Sequence, residues 1–415
     1  MVAIYADFNA RTASDRIRLD PAGSIESLRE NPVREGDWLW LSDNDLRVGA
    51  QIERQGNEYL ARPAWETLED IAAAGQMNPA ELQAGVARLR ELLEAPEKDY
   101  KRILRLLPVA ERVLPNKGFA AYQRSRAMHA FGYPGLALAA VEDALGLEPN
   151  HPGFLHHKLQ LLSELDLDRA VHEAERLVAL DTTPAIVLVG CAQVLALEAR
   201  RTQSETAKEI DRRIISLADR IEASQDVGTL PPSARSLALT LRGFAHSHLG
   251  EKEPAVSAFN KAVEAYPLSP GALACRGMEA YPSRQALVDL ENSVKLGILS
   301  SWPSYLLAHA SLTRRDWQAL TRHAQAALRF EPPAGRAADL YEWLGIAEVE
   351  SGGSLTVAVR WMERAVDLAP DVVRMRRNLQ LAKQLAGASR QSASPAWEMQ
   401  KQVQAAAADL QRSAA

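Results

Sequence analysis

The chain has 415 residues, 47% apolar and 24% charged, with a formal net charge of −5. That length exceeds one ordinary hydrophobic core, so several domains or a repeat array are expected. The acidic balance argues against a dedicated nucleic-acid binder, which carries a basic face. Cys191 and Cys275 lie far apart and suit small buried positions in a reducing compartment better than a disulfide frame. The opening MVAIYADFNARTASDR has no cationic segment followed by a long apolar run, so no secretory signal is expected. No stretch approaches the roughly 18 apolar residues of a spanning helix. A cytoplasmic location follows as an expectation.

Residues 1–65 read as short strands. Val2, Ile4 and Phe8 fall in an alternating run, and Arg16-Ile17-Arg18-Leu19 alternates again. Trp38-Leu39-Trp40-Leu41 follows the turn Glu35-Gly36-Asp37. Residues 48–53 and 58–62 flank Gln55-Gly56-Asn57, a hairpin signal. The spacing predicts a small β module of SH3-like size that docks on the helices after it. Trp38, Trp40, Tyr5 and Tyr59 could stack bases. Yet residues 1–65 hold 8 Arg and no Lys against 11 Asp plus Glu, so core packing is the expected role. The module resembles short bacterial segments that open with a YADFN run and continue into an R-(I/V)-R-L strand, here Tyr5-Ala6-Asp7-Phe8-Asn9 and Arg16-Ile17-Arg18-Leu19. That resemblance implies a β module and no activity.

Residues 66–117 turn helical. Asn78-Pro79 is an N-cap followed by proline at the first helical position. Leu82, Val86, Leu89 and Leu93 then line one face. A second helix is expected from about Glu97 to Val113, kinked or ended by Pro108.

From Gly118 to Pro370 a pattern returns about every 34 residues. Its clearest copy lies between Ser236 and Ser269, with Leu239, Gly243, Leu249, Gly250, Ala255, Phe259, Ala262 and Pro267 at fixed offsets. The last copy repeats the frame with Tyr341, Leu344, Gly345, Gly352, Ala358, Met362, Ala365 and Pro370. Small residues let two helices approach, a large one fills the space between them, and the proline stops the second helix. The other copies span 118–151, 152–183, a degenerate 184–230 with a long second helix at 205–223, 270–300 and 301–335.

These residues resemble the tetratricopeptide-repeat family. The resemblance implies a mainly α fold, an alpha-alpha superhelix of helix-turn-helix units over 118–371. Met375, Leu379 and Ala382 on one side predict a closing helix at 372–386, and the Ala-, Gln- and Ser-rich composition of 387–415 predicts a mobile tail. In three copies arginine (Arg124, Arg242, Arg276) stands where the family has a Leu-like residue. Its stem can lie on apolar surface with the head in water.

In that family the first helix of each unit lines a partner-binding groove. Carried over, those positions are Phe119, Tyr122, Arg126 and His129, then His156 and Gln160. Later copies contribute Thr240, Phe244 and His248, then Met278 and Tyr281. Trp302, Tyr305 and His309 follow, and Glu342 and Ile346 complete the set. Some relatives grip a terminal carboxylate with Lys and Asn. Tyr122 and Arg126 stand at the matching positions, which argues against that version.

No GxxxxGK[ST], GxGxxG or GxSxG motif occurs, and Asp43 and Asp45 sit in a turn. His151, His156 and His157, or His246 and His248, lack the HExxH arrangement of a zinc helix. The expectation is a non-enzymatic scaffold without cofactor or metal. It holds a protein or peptide partner, with neither nucleic-acid binding nor membrane insertion. Two alternatives stay open: a regulatory subunit whose β module binds the ligand, and an enzyme with an unrecognised site.

Overall fold

The computed structural model describes residues 3–6, 16–19, 33–42, 46–55, 58–70, 77–95, 97–114, 116–202 and 205–391. The chain divides into two compact units, Met1–Leu230 and Pro231–Ala415.

The first unit opens with five strands: β1 (Ala3–Tyr5), β2 (Ile17–Arg18), β3 (Trp38–Ser42), β4 (Leu46–Gln55) and β5 (Glu58–Asp70). They form one sheet in the order β1-β3-β4-β5-β2, antiparallel except for the β1–β3 pair. The three long strands make an antiparallel meander. Gln55 pairs with Glu58, so the expected hairpin closes there, although Gly56 and Asn57 lie outside the described residues. So do Asp43 and Asp45. Gly36, at φ +89, makes the tight turn into β3. Alternation divides the sheet into two faces. Leu39, Leu41, Val48, Ala50 and Ile52 meet Ile17 and Leu19 in the module's own core. Trp38, Trp40 and Gly49 turn the other way, towards the helices. The β5 strand runs to Asp70, past the expected edge of the module at 65.

Seventeen α-helices follow among the described residues. In the first unit these are α1 (Pro79–Glu94), α2 (Tyr100–Val113), α3 (Lys117–Ala130), α4 (Pro134–Leu147), α5 (Pro152–Leu165), α6 (Leu167–Val178), α7 (Ala185–Arg201) and α8 (Glu205–Ala223). The start of α1 carries a full capping box. The Asn78 side chain accepts from the amides of Ala80 and Glu81, and the Glu81 carboxylate accepts from the Asn78 amide. Pro108 does not end α2: the helix runs through it to Val113, the expected end. Pro108 and its neighbours Leu107, Val109 and Ala110 are buried, and their packing carries the turn that lacks a backbone donor.

The second unit holds α9 (Pro232–His248), α10 (Lys252–Ala265), α11 (Pro270–Glu279), α12 (Arg284–Lys295), α13 (Ser301–Arg314), α14 (Trp317–Leu328), α15 (Ala334–Glu350), α16 (Leu355–Leu368) and α17 (Val373–Gln391). From α3 to α16 the helices pair as hairpins in a tetratricopeptide-like arrangement. The closest approaches occur where the pattern places a small residue. A Cβ built on Gly243 would lie 2.4 Å from the ring of Phe259, on Gly277 2.8 Å from Leu290, and on Gly345 2.7 Å from Met362. Each pair joins the first helix of a hairpin to the second. In the first hairpin Ser125 takes the small position and its hydroxyl donates to the Ala137 carbonyl at 2.6 Å. Side-chain caps from Asn116, Asp166, Ser269, Ser283, Asp316 and Ser354 fix where the helices begin.

Arginine at the Leu-like position departs from the expectation most clearly at Arg124. Its head is dry: the residue is 5% exposed. Two carboxylates hold it. Nη2 donates to Glu69 and Glu111, each at 2.8 Å, and Nε donates to the other Glu69 oxygen. Glu69 comes from the end of β5 and is fully buried. The register between β4 and β5 slips between Arg47 and Gly49, and Thr67 fills the gap by accepting from the Gly49 amide at 2.8 Å. That irregularity leads the strand on to Glu69. Arg276 behaves likewise within its own hairpin, clasping the buried Asp289 at 2.7 and 2.8 Å. The expected docking of the module on the helices is present. The Trp38 indole lies over Gly135 and 5.3 Å from the Tyr133 ring, and Trp40 lies under Arg124.

Candidate functional site

The groove positions fall into two sets, one in each unit. In the first unit, Tyr122, Arg126 and His129 lie on one stripe of α3, with His156 and Gln160 on α5. The Tyr122 ring stands 4.8 Å from Phe154 and edge-on to His157 at 5.7 Å. The His129 ring is 5.5 Å from His157, and its Nε2 lies 2.9 Å from Glu164. Nδ1 of His156 donates to the Ile186 carbonyl at 3.0 Å, which fixes the tautomer. Its ring sits where Gly190 leaves room on α7. Gln160 is exposed, Arg126 and Phe119 are half-buried, and Arg126 forms no ion pair among the described residues. His151, His156 and His157 do not converge. No group of three metal-ligating side chains comes together among the described residues.

The sequence did not single out His157 for this face, yet it sits at its centre, 6% exposed. Burial, reinforced by the field of His129, lowers its pKa from 6.5 to about 4. The folded chain therefore holds it neutral, while the unfolded chain protonates it near 6.5. Between those values the unfolded state binds more protons, so stability falls as pH drops through that window. The loss is at most about 3 kcal/mol. We expect the wild-type unfolding free energy to decline from pH 6.5 towards 4 and His157→Gln to flatten the decline. Parallel curves for the two proteins would refute the assignment.

In the second unit the first helices of successive hairpins, α9, α11, α13 and α15, pack side by side. They carry a row of rings. Phe244 stands edge-on to Phe259 at 5.9 Å, with His248 6.2 Å away. Met278 packs partly buried against Phe259 and Leu290. The Tyr281 hydroxyl and His309 Nδ1 share a hydrogen bond of 2.7 Å. His309 and Tyr305 flank Trp343, with ring centroids 5.6 and 5.0 Å away. Trp302 meets Tyr305 edge-on at 5.7 Å and remains 43% exposed. Tyr305 donates its hydroxyl to Asp339 at 3.0 Å, and burial with that carboxylate pushes the phenol up to about 12. The Arg336 guanidinium lies over Trp302, 4.1 Å from its ring centre.

Three expected positions are withdrawn from this face. Ile346 is fully buried and Thr240 5% exposed, its hydroxyl donating to the Ser236 carbonyl at 2.7 Å. Glu342 is fully buried. The reason is α17, which packs on the end of the second unit. Its Asn378 donates to Glu342 at 2.7 Å, and its Arg374 bridges Glu342 at 2.7 Å and Asp339 at 2.9 Å. Burial raises the pKa of Glu342, opposed by Arg374. Conversely, Arg336, Asp339 and Trp343 belong to the row and were missed. Their spacing of three and four residues along α15 was a helical stripe already visible in the sequence.

These features define a helical-hairpin repeat protein with an aromatic face. No helix among the described residues is long and apolar enough to cross a membrane. No family model matches the chain, and no curated protein matches it. Solved structures are similar at low identity. The Cut9–Hcn1 hetero-tetramer of the APC/C is 13% identical with a TM-score of 0.49, over 75% of this chain and 58% of that one. A tetratricopeptide repeat protein from Parabacteroides merdae is 12% identical with a TM-score of 0.43, over 65% of this chain and 99% of that one. A thermophilic TPR protein of Thermus thermophilus is 15% identical with a TM-score of 0.33, over 64% and 99%. The chain thus spans under two thirds of the first and nearly all of the other two.

Proposed function

We propose that the chain is a non-enzymatic scaffold that holds a partner protein or peptide on the aromatic row of its second unit. The observation that carries this reading is Trp302, an indole left 43% exposed beside Tyr305, which packs in turn on Trp343. Half-exposed tryptophan and tyrosine beside arginine are the side chains that anchor protein interfaces. The row spans four neighbouring helices, a length suited to an extended segment or one face of a helix. The buried thiols of Cys191 and Cys275 support a reducing, cytoplasmic setting.

Combining Trp302→Ala with Tyr305→Ala is expected to abolish capture of proteins that the wild type retains from native lysate. Circular dichroism melting serves as the folding control. Retention of the same proteins by a folded double variant would overturn the reading. A groove variant is preferable to deleting the β module, because deletion strips Glu69 from the buried Arg124 and disturbs the first unit directly.

A further inference from the structure

Arg336 has no carboxylate partner among the described residues. Its guanidinium lies over Trp302, and its Nη1 is buried without a hydrogen-bond acceptor. A buried donor left without an acceptor is costly, and more so on a charged group. The two carboxylates on this part of the row are already taken. Arg374 reaches Asp339 at 2.9 Å and Glu342 at 2.7 Å, and Tyr305 also donates to Asp339. Arg336 is therefore a cation with no carboxylate partner among the described residues, held against an indole that is 43% exposed.

From this arrangement we infer that the occupant of the row is an acidic peptide segment, in which a carboxylate accepts from Arg336 while an adjacent aliphatic side chain rests on Trp302. The inference rests on the scaffold reading and adds the chemistry of its ligand. A guanidinium already held against the ring loses less freedom on binding a carboxylate, which its planar group can meet through paired donors. The indole beside it supplies apolar area that a purely ionic contact lacks.

The test uses the full chain and two short fluorescein-labelled peptides of identical length, one alternating Glu and Leu, the other Gln and Leu. Fluorescence anisotropy is measured at low and at moderate salt. The wild type should bind the Glu–Leu peptide about tenfold more tightly than the Gln–Leu peptide, and salt should narrow that difference. Arg336→Gln should erase the preference by bringing Glu–Leu affinity down to that of Gln–Leu, and Arg336→Lys should keep part of it. Trp302→Ala should weaken both peptides. Melting curves confirm that each variant is folded. Equal affinity of the wild type for the two peptides, a preference that survives Arg336→Gln, or no binding of the Glu–Leu peptide each overturns the inference. Equal affinity with loss of both on Trp302→Ala would leave the scaffold reading standing while the acidic ligand falls.

Discussion

Replacing Phe259 with alanine is expected to destabilise the second unit by about 3–5 kcal/mol. The ring is 1% exposed and fills the space between two hairpins. It lies against Gly243 of its own hairpin, against Phe244, and in one cluster with Cys275 of the next first helix, α11. Removing it leaves a void that cannot close easily, because the α9 backbone is already held where glycine allowed the approach. The reciprocal change, Gly243→Ala, overfills the same contact: its methyl would meet three ring carbons between 2.4 and 2.9 Å away. We expect about 1–3 kcal/mol for that change. Urea denaturation measures both. A Phe259→Ala loss below about 1 kcal/mol would mean the hairpins re-pack around the hole.

The repeat frame was legible because its determinants are local. Gly243 faces Phe259, Gly345 faces Met362, and each pairing lies within one hairpin, so sequence spacing alone predicts it. Even the degenerate third copy was readable from its long second helix, α8. The misreadings arose where a partner comes from far along the chain. Arg124 looked like a snorkelling side chain because its counter-charge, Glu69, lies 55 residues earlier on another kind of element. Glu342 looked exposed because the pattern of its own helix says nothing of α17, which arrives 36 residues later to cover it. Of the kink or stop expected at Pro108, the stop does not occur, and the buried packing around it carries α2 on to Val113. At the candidate site the rings were legible as ring-bearing positions. Which of them remained open, and which cation lacked a partner, depends on neighbouring hairpins.

The second large effect is expected at the junction of the β module with the helices. Arg124→Ala should destabilise the first unit by about 3–5 kcal/mol, since it leaves the buried Glu69 carboxylate with one looser, more exposed cation. That cation, Arg47, stands 3.6 Å from Glu69. Glu69→Ala should cost less, because Arg124 keeps Glu111 at 2.8 Å. That ordering, arginine loss worse than glutamate loss, follows from the geometry and would not arise if the two residues acted only as packing volume. The third variant in the cycle is Arg124→Leu with Glu69→Leu. Substituting both charges by apolar groups of similar bulk removes the desolvation penalty along with the attraction, so the pair should recover most of the lost stability. Denaturation of the three variants, with amide exchange on β4 and β5 reporting the module, separates the outcomes. If the double leucine variant is as unstable as Arg124→Ala, the ion network itself sustains the docking of β5 on α3. If it recovers, burial of Trp38 and Trp40 is sufficient, and the charges select which surfaces meet.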